Sequence, residues 1–136
     1  MVLDVPNELS DTVKTVLPHC SKVVLVANLD EFTAVEQTSE MHANLMRLKI
    51  GEDQIMVVLN KRSRHNRLRV EQIRRLLPNC KFVYVPEDKK VNDDNNAGTP
   101  TVYSRPRSRF ARAIRQIVSS LVQEDSLSVA ARLGVS

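Results

Sequence analysis

The residues best placed to do chemistry in this sequence are polar side chains that directly follow short β-branched runs. Asp4 and Pro6 end "VLDV", and Asn28 and Asp30 follow "KVVLVA". Asn60, Lys61 and Arg62 follow "QIMVVL", and Pro86, Glu87 and Asp88 follow "KFVYV". Ligands of open α/β sheets bind at the carboxyl ends of the strands, so these four ends can converge on one ligand. Asn60 can donate and accept together, as recognition of a purine edge requires. Asp4 suits a hydrated Mg²⁺, a hard cation that prefers carboxylate and water. Each residue also has a plainer role: Asp30 can cap the helix after it, with Thr33 or Glu31 in support, and Asn60 can close a turn. Their shared edge is what favours the functional reading.

Other chemistries find little support. The glycines are Gly51, Gly98 and Gly134, and none belongs to a Gly-Lys-Ser/Thr element. Cradling a triphosphate needs consecutive backbone N–H groups and a lysine near the β/γ-phosphates. His19, His42 and His65 share no metal or triad spacing, and no nucleophile–base pair stands out. Cys20 and Cys80 are far apart and read as reduced cytoplasmic thiols. Sparse aromatics and the absence of Trp argue against a base-stacking single-strand binder. The net charge of +4 is uneven. Residues 61–75 hold Lys61, Arg62, Arg64, Arg67, Arg69, Arg74 and Arg75 against Glu71 alone. Residues 105–115 include Arg105, Arg107 and Arg109 and no acid. Such a basic patch can attract phosphates, DNA or anionic lipid, or be no more than a solvated helix face and loop.

The elements that must position these residues follow from the apolar pattern. Four runs, 2–5, 22–27, 54–59 and 81–85, are almost continuously apolar, which suits strands covered on both faces of a parallel sheet. Residues 30–49 put Phe32, Val35, Met41, Leu45 and Leu48 along one helical stripe, and 68–77 do so with Val70, Ile73, Leu76 and Leu77. The spacing predicts an α/β fold: a mostly parallel sheet of about four strands flanked by helices, joined by right-handed crossovers. "LPHC" and "LPNC" each precede a strand and read as a repeated helix-to-strand turn, Pro18 and Pro78 ending the helix before them. Gly98 is the expected cap of a polar helix after residue 86, with Pro100 beyond. An amphipathic helix over 104–122 presents Phe110, Ile114, Ile117, Val118 and Leu121. The last residues form a tail or one short helix, so residues 1–123 make one domain and 124–136 a tail. No apolar run approaches the ~18 residues of a membrane-spanning helix.

With these residues in place, the chain resembles the C-terminal half of a MinD/ParA-type ATPase, of the deviant phosphate-loop class and its Rossmann-like fold. The nearest branch is the CpaE/TadZ proteins of Flp (tight-adherence) pilus assembly. "VLDVPNELSD" resembles the switch strand, whose Asp would hold Mg²⁺ through water. "IMVVLNKR" resembles the strand whose terminal Asn reads adenine, which puts that role on Asn60 beside Arg62. "VYVPEDKKVNDDNNAGTPTVYSRPRSRFARAI" resembles the strand, Pro-Glu-Asp turn and closing helices, so Pro86, Glu87 and Asp88 are expected along the adenine. At the switch, Glu8 stands where the family usually has Gly, which counts against efficient hydrolysis. The resemblance implies ATP and Mg²⁺ in a longer parent, with no tight nucleotide binding and no activity in this chain alone. It implies a homodimer, partners in the pilus or secretion machinery, and a cytoplasmic protein peripheral at the inner membrane or cell pole. It also implies that the phosphate-loop strand lies between "VLDV" and "KVVLVA". The chain is therefore expected to be a truncated form or gene fragment. Its "VLDV" strand would pair with "KVVLVA", pair with another chain, or leave an unsatisfied edge. The alternative is a ParA-like cargo or DNA positioner that binds nucleic acid through the basic patch.

Overall fold

The computed structural model describes residues 1–132, with side chains described through residue 123. Three strands form one sheet: β1 (Val23–Asn28), β2 (Ile55–Arg62) and β3 (Phe82–Pro86), all parallel and in the order β1-β2-β3. Helix α1 (Asp11–Val16) precedes β1. Helices α2 (Ala34–Arg47) and α3 (Val70–Leu76) cross from β1 to β2 and from β2 to β3. After β3 come α4 (Lys90–Asn96), α5 (Thr101–Ser104) and α6 (Arg109–Arg132).

The α/β class and parallel sheet agree with the sequence pattern, and burial explains why. On one face of the sheet, Ala27, Val57 and Leu59 pack with Ala34 and Val35 of α2 and with Ile73 and Leu77 from α3 and its end. Val35, Val57, Leu59 and Ile73 are completely buried. Each such side chain contributes roughly 1.5–3 kcal/mol relative to leaving it in water. A second cluster of Val13, Leu17, Leu45, Ile50 and Ile55 closes the amino end of the sheet against α1 and α2. Helix α6 packs on β3, with Ala111 fully buried.

Residues 2–5 depart from the expected four strands. They form no strand, and Val2, Leu3 and Val5 are exposed. Of the three alternatives for this segment, pairing with β1 is not realised. A strand needs a partner for its backbone groups, and β1 is a sheet edge whose Val24 and Val26 are 40% and 61% exposed.

The helices differ from their expected stripes at their ends. Helix α2 begins only at Ala34, so Phe32 lies in the turn before it, exposed, and Leu48 is its exposed C-cap. Its buried face is Ala34, Val35, Thr38 and Leu45. The expected helix over 104–122 is two helices, because Pro106 cannot continue α5. The Ser108 hydroxyl then accepts from the Ala111 N–H at 3.0 Å and starts α6 afresh. Val118 is exposed, and Ala111 occupies the buried position instead. Helix α6 runs on to Arg132, across the expected boundary at 123, and residues 133–136 lie outside the described residues.

The repeated Leu-Pro-x-Cys turn is structural in both copies. The Cys20 N–H donates to the Leu17 carbonyl at 3.1 Å and the Cys80 N–H to the Leu77 carbonyl at 3.5 Å. Gly98, just past α4, adopts φ of +72°, a left-handed conformation that glycine takes without steric cost.

Candidate functional site

The carboxyl ends of the strands open into a cleft of about 1160 Å³. Its walls are the segment after β1 (Leu29, Asp30, Glu31, Phe32), the end of β2 and the loop after it from Lys61 to Leu68, and the end of β3 with the turn after it (Pro86, Glu87, Asp88, Lys89). Arg109 and Phe110 at the start of α6 close the far side. The strand ends meet because the sheet is parallel: Asn28 lies opposite Asn60, and Arg62 opposite Pro86.

In-register neighbours of a parallel pair point to the same face. The Asn60 amide accordingly donates to the Asn28 side-chain oxygen at 3.0 Å, and Asn28 donates on to Glu31 at 3.4 Å. This relay fixes the Asn60 side chain while using one of its two amide hydrogens.

Immediately afterwards the β2–β3 register shifts between Leu59 and Arg62, and Lys61 takes φ of +57°. A lysine in the left-handed region is uncommon. The kink carries the Lys61 ammonium to Asp30 at 2.8 Å. That hydrogen bond holds the Asp30 carboxyl below the usual carboxylate range and raises the Lys61 ammonium. Asp30 thus ties two walls of the cleft together. The α2 N-cap is Thr33, which makes no side-chain cap bond.

Arg62 turns back over the sheet, its guanidinium carbon 4.8 Å from the centroid of the Tyr84 ring, a cation–π contact. Its carbonyl accepts from the Glu87 N–H at 3.0 Å, so the β2 and β3 ends are joined by backbone as well. Asn66 staples the loop between them. It donates to the Leu29 carbonyl at 3.3 Å and the Lys61 carbonyl at 3.2 Å, and it accepts from the Ser63 N–H at 2.7 Å.

Of the residues singled out from sequence, Arg62, Pro86, Glu87 and Asp88 line this cleft; Asn60 does not line it, and its side chain is bonded to Asn28, which lines a separate small pocket of about 110 Å³. Asp4 does not line it and lies in the exposed N-terminal segment. Among the described residues no group of three or more His, Cys, Asp or Glu side chains is placed to hold a metal ion.

The basic residues divide. Lys61, Arg62, Arg64, Arg67 and Arg109 line the cleft. Arg69, Arg74, Arg75 and Arg107 are exposed outside it. Arg105 is drawn in between two aspartates: its guanidinium reaches Asp88 at 2.8 Å and Asp94 at 2.9 Å. It is therefore part of an internal ionic cluster, with its charge neutralised. Sequence reasoning missed Asn66, the Lys61 kink and this cluster. The Asp94–Thr101–Arg105 spacing was the one signal in the sequence, and it reads equally well as polar side chains facing water.

Three parallel strands with helical crossovers and a polar cleft at their carboxyl ends make up part of a Rossmann-like fold. Solved structures make the class more definite. The MinC:MinD cell division protein complex of Aquifex aeolicus matches 82% of this chain and 48% of that one, at a TM-score of 0.66 and 20% identity. A ParA family ATPase from Chlorobium tepidum TLS matches 79% of this chain and 45% of that one, at 0.68 and 14%. The MinD cell division protein of Aquifex aeolicus matches 76% and 46%, at 0.62 and 23%. The fold is thus that of part of the MinD and ParA ATPases, and the chain spans less than half the length of each. No protein-family profile and no curated protein matches the chain.

Proposed function

We propose that this chain supplies the base-contacting wall of an ATP site of MinD/ParA type and leaves the phosphate side to other polypeptide. The observation that carries this reading is the joining of the β2 and β3 ends at one cleft, through the Glu87 N–H to Arg62 carbonyl bond, in a fold of this class. Asn60 would read the edge of adenine, and Arg62, Pro86, Glu87 and Asp88 would frame its plane. The sequence has no Gly-rich loop, so triphosphate recognition does not come from these residues.

The particular role best supported is that of a CpaE/TadZ-like component of Flp pilus assembly, on the pattern "VYVPEDKKVNDDNNAGTPTVYS". In the parent, ATP and Mg²⁺ would close a homodimer that recruits secretion machinery, at the inner membrane or cell pole. Among the described residues no helix is long and apolar enough to cross a membrane, which is compatible with peripheral attachment.

The deciding experiment is an NMR titration of the chain with adenosine and with ATP·Mg²⁺. Millimolar adenosine is expected to shift the amides of residues 60–62 and 86–88, and ATP·Mg²⁺ to bind no more than modestly tighter. Shifts elsewhere, or tight Mg²⁺-dependent ATP binding, would contradict the proposal. The second reading, a cargo or DNA positioner, draws on Arg62, Arg64, Arg67 and Arg109 around one cleft. A gel shift without salt-sensitive DNA binding removes it.

A further inference from the structure

We propose that Arg105 is a positioning residue that locks the Pro86–Asp88 turn, and with it the wall of the cleft, onto α4 and α5. This rests on the base-site reading for its consequence, though the lock itself does not.

The geometry is specific. Arg105 Nη1 donates to Asp88 Oδ2 at 2.8 Å, while Nε and Nη2 both donate to Asp94 Oδ2, at 3.0 and 2.9 Å. Thr101, only 2% exposed, donates to the same Asp94 oxygen at 2.7 Å. The second oxygen of Asp88 accepts from the Lys90 N–H at 3.0 Å. Both Asp88 oxygens are thus engaged, one by Arg105 and one by the Lys90 N–H at the start of α4, while Asp88 remains part of the cleft wall.

Two aspartates share one cation, and the cluster is largely shielded: the side chains of Arg105, Asp88 and Asp94 are 29%, 18% and 17% exposed. Removing the guanidinium would leave two carboxylates facing each other. Their repulsion would act on the turn, because Asp94 is fixed by the helix and by Thr101 whereas Asp88 sits on a short loop. Lysine cannot replace the fork, since one ammonium cannot reproduce three N–H bonds directed to two carboxylates.

The test compares wild type, Arg105→Ala, Arg105→Lys and the double variant Arg105→Ala/Asp94→Asn. The first readout is amide hydrogen exchange at Glu87, whose N–H bonds the Arg62 carbonyl; the second is adenosine affinity by NMR. Arg105→Ala should speed exchange at Glu87 about tenfold while the β2 core amides stay unchanged, because the opening is local. Adenosine affinity should fall about fivefold, with partial rescue by Arg105→Lys and by the double variant, which relieves the repulsion. Unchanged Glu87 exchange, or faster exchange spread evenly over the sheet, overturns the lock. Faster Glu87 exchange with unaltered adenosine affinity overturns the positioning role. If wild type shows no adenosine response, the base-site reading fails, and the exchange data still decide the lock.

Discussion

At Lys61 the backbone takes a conformation that its residue type does not favour. Holding a non-glycine residue in the left-handed region costs on the order of 1–3 kcal/mol. The exposed Lys61–Asp30 pair repays little of it, since both side chains are more than 40% accessible. Lys61→Gly should therefore leave stability within about 1 kcal/mol of wild type, whereas Lys61→Val, branched at Cβ, should lose about 1–2 kcal/mol. Urea titration of the two variants distinguishes them. Asn60 is engaged with Asn28 through one amide hydrogen and sits next to Lys61, which lines the cleft. Asn60→Ala should weaken adenosine binding about tenfold, the loss of one well-placed hydrogen-bonding group. The fold should persist, because Leu59 and Val57 are untouched. A calorimetric or NMR titration showing unaltered affinity would take Asn60 out of the site.

Among the elements, β1 and α3 make opposite predictions. Val26 sits on the open edge strand and is 61% exposed, so Val26→Lys should change stability by no more than about 0.5 kcal/mol. A charge there also guards an edge that has no strand beside it among the described residues, so the variant should remain monodisperse at higher concentration by light scattering. Ile73 of α3 is completely buried between the sheet and α2, and Ile73→Ala should cost roughly 2–5 kcal/mol in the same urea experiment. The turn that joins β3 to α4 is a pH-dependent element. The hydrogen bond from Arg105 holds the Asp88 carboxyl below its ordinary value, and bonds from Thr101 and then Arg105 do the same for Asp94. Carboxyls depressed in the folded state bind fewer protons than in the unfolded chain. Their contribution is complete above the ordinary aspartate value of about 3.9 and disappears as pH falls through the lower folded values. Exchange protection at Glu87, corrected for its intrinsic rate, should be flat from neutral pH down to that value and lost only in stronger acid. A loss centred near neutrality would implicate another group.

For the whole molecule, the charge distribution separates the two functional readings. Five of the Lys/Arg side chains singled out from the sequence line the cleft, Arg105 is internally neutralised, and the remainder lie outside on exposed surface. If the surface binds DNA, log affinity should fall linearly with log salt, by about 0.9 for each phosphate contact. Arg64→Ala and Arg67→Ala should each reduce that slope by about one, while Arg105→Ala should leave it unchanged. An adenine-binding cleft instead gives a weak salt dependence and loses affinity with Asn60→Ala.

Much of this arrangement was written into local sequence. Continuous β-branched runs specified β1, β2 and β3, although β1 leaves Val24 and Val26 exposed on one face. Ile73 and Leu77 marked the buried face of α3, and Pro78 and Gly98 its end and that of α4, because periodicity and backbone restriction act over a few residues. The strand-end positions Asn60 and Pro86–Asp88 were legible for the same reason: parallel topology sends every carboxyl end to one edge. Residues 2–5 have a strand's composition but no partner, and pairing is settled only by what lies beside a segment in space. Lys61's left-handed kink and the capture of Arg105 by two aspartates were likewise invisible. An arginine among arginines reads as surface charge until the fold brings Asp88 and Asp94, seventeen and eleven residues away, within reach of one guanidinium.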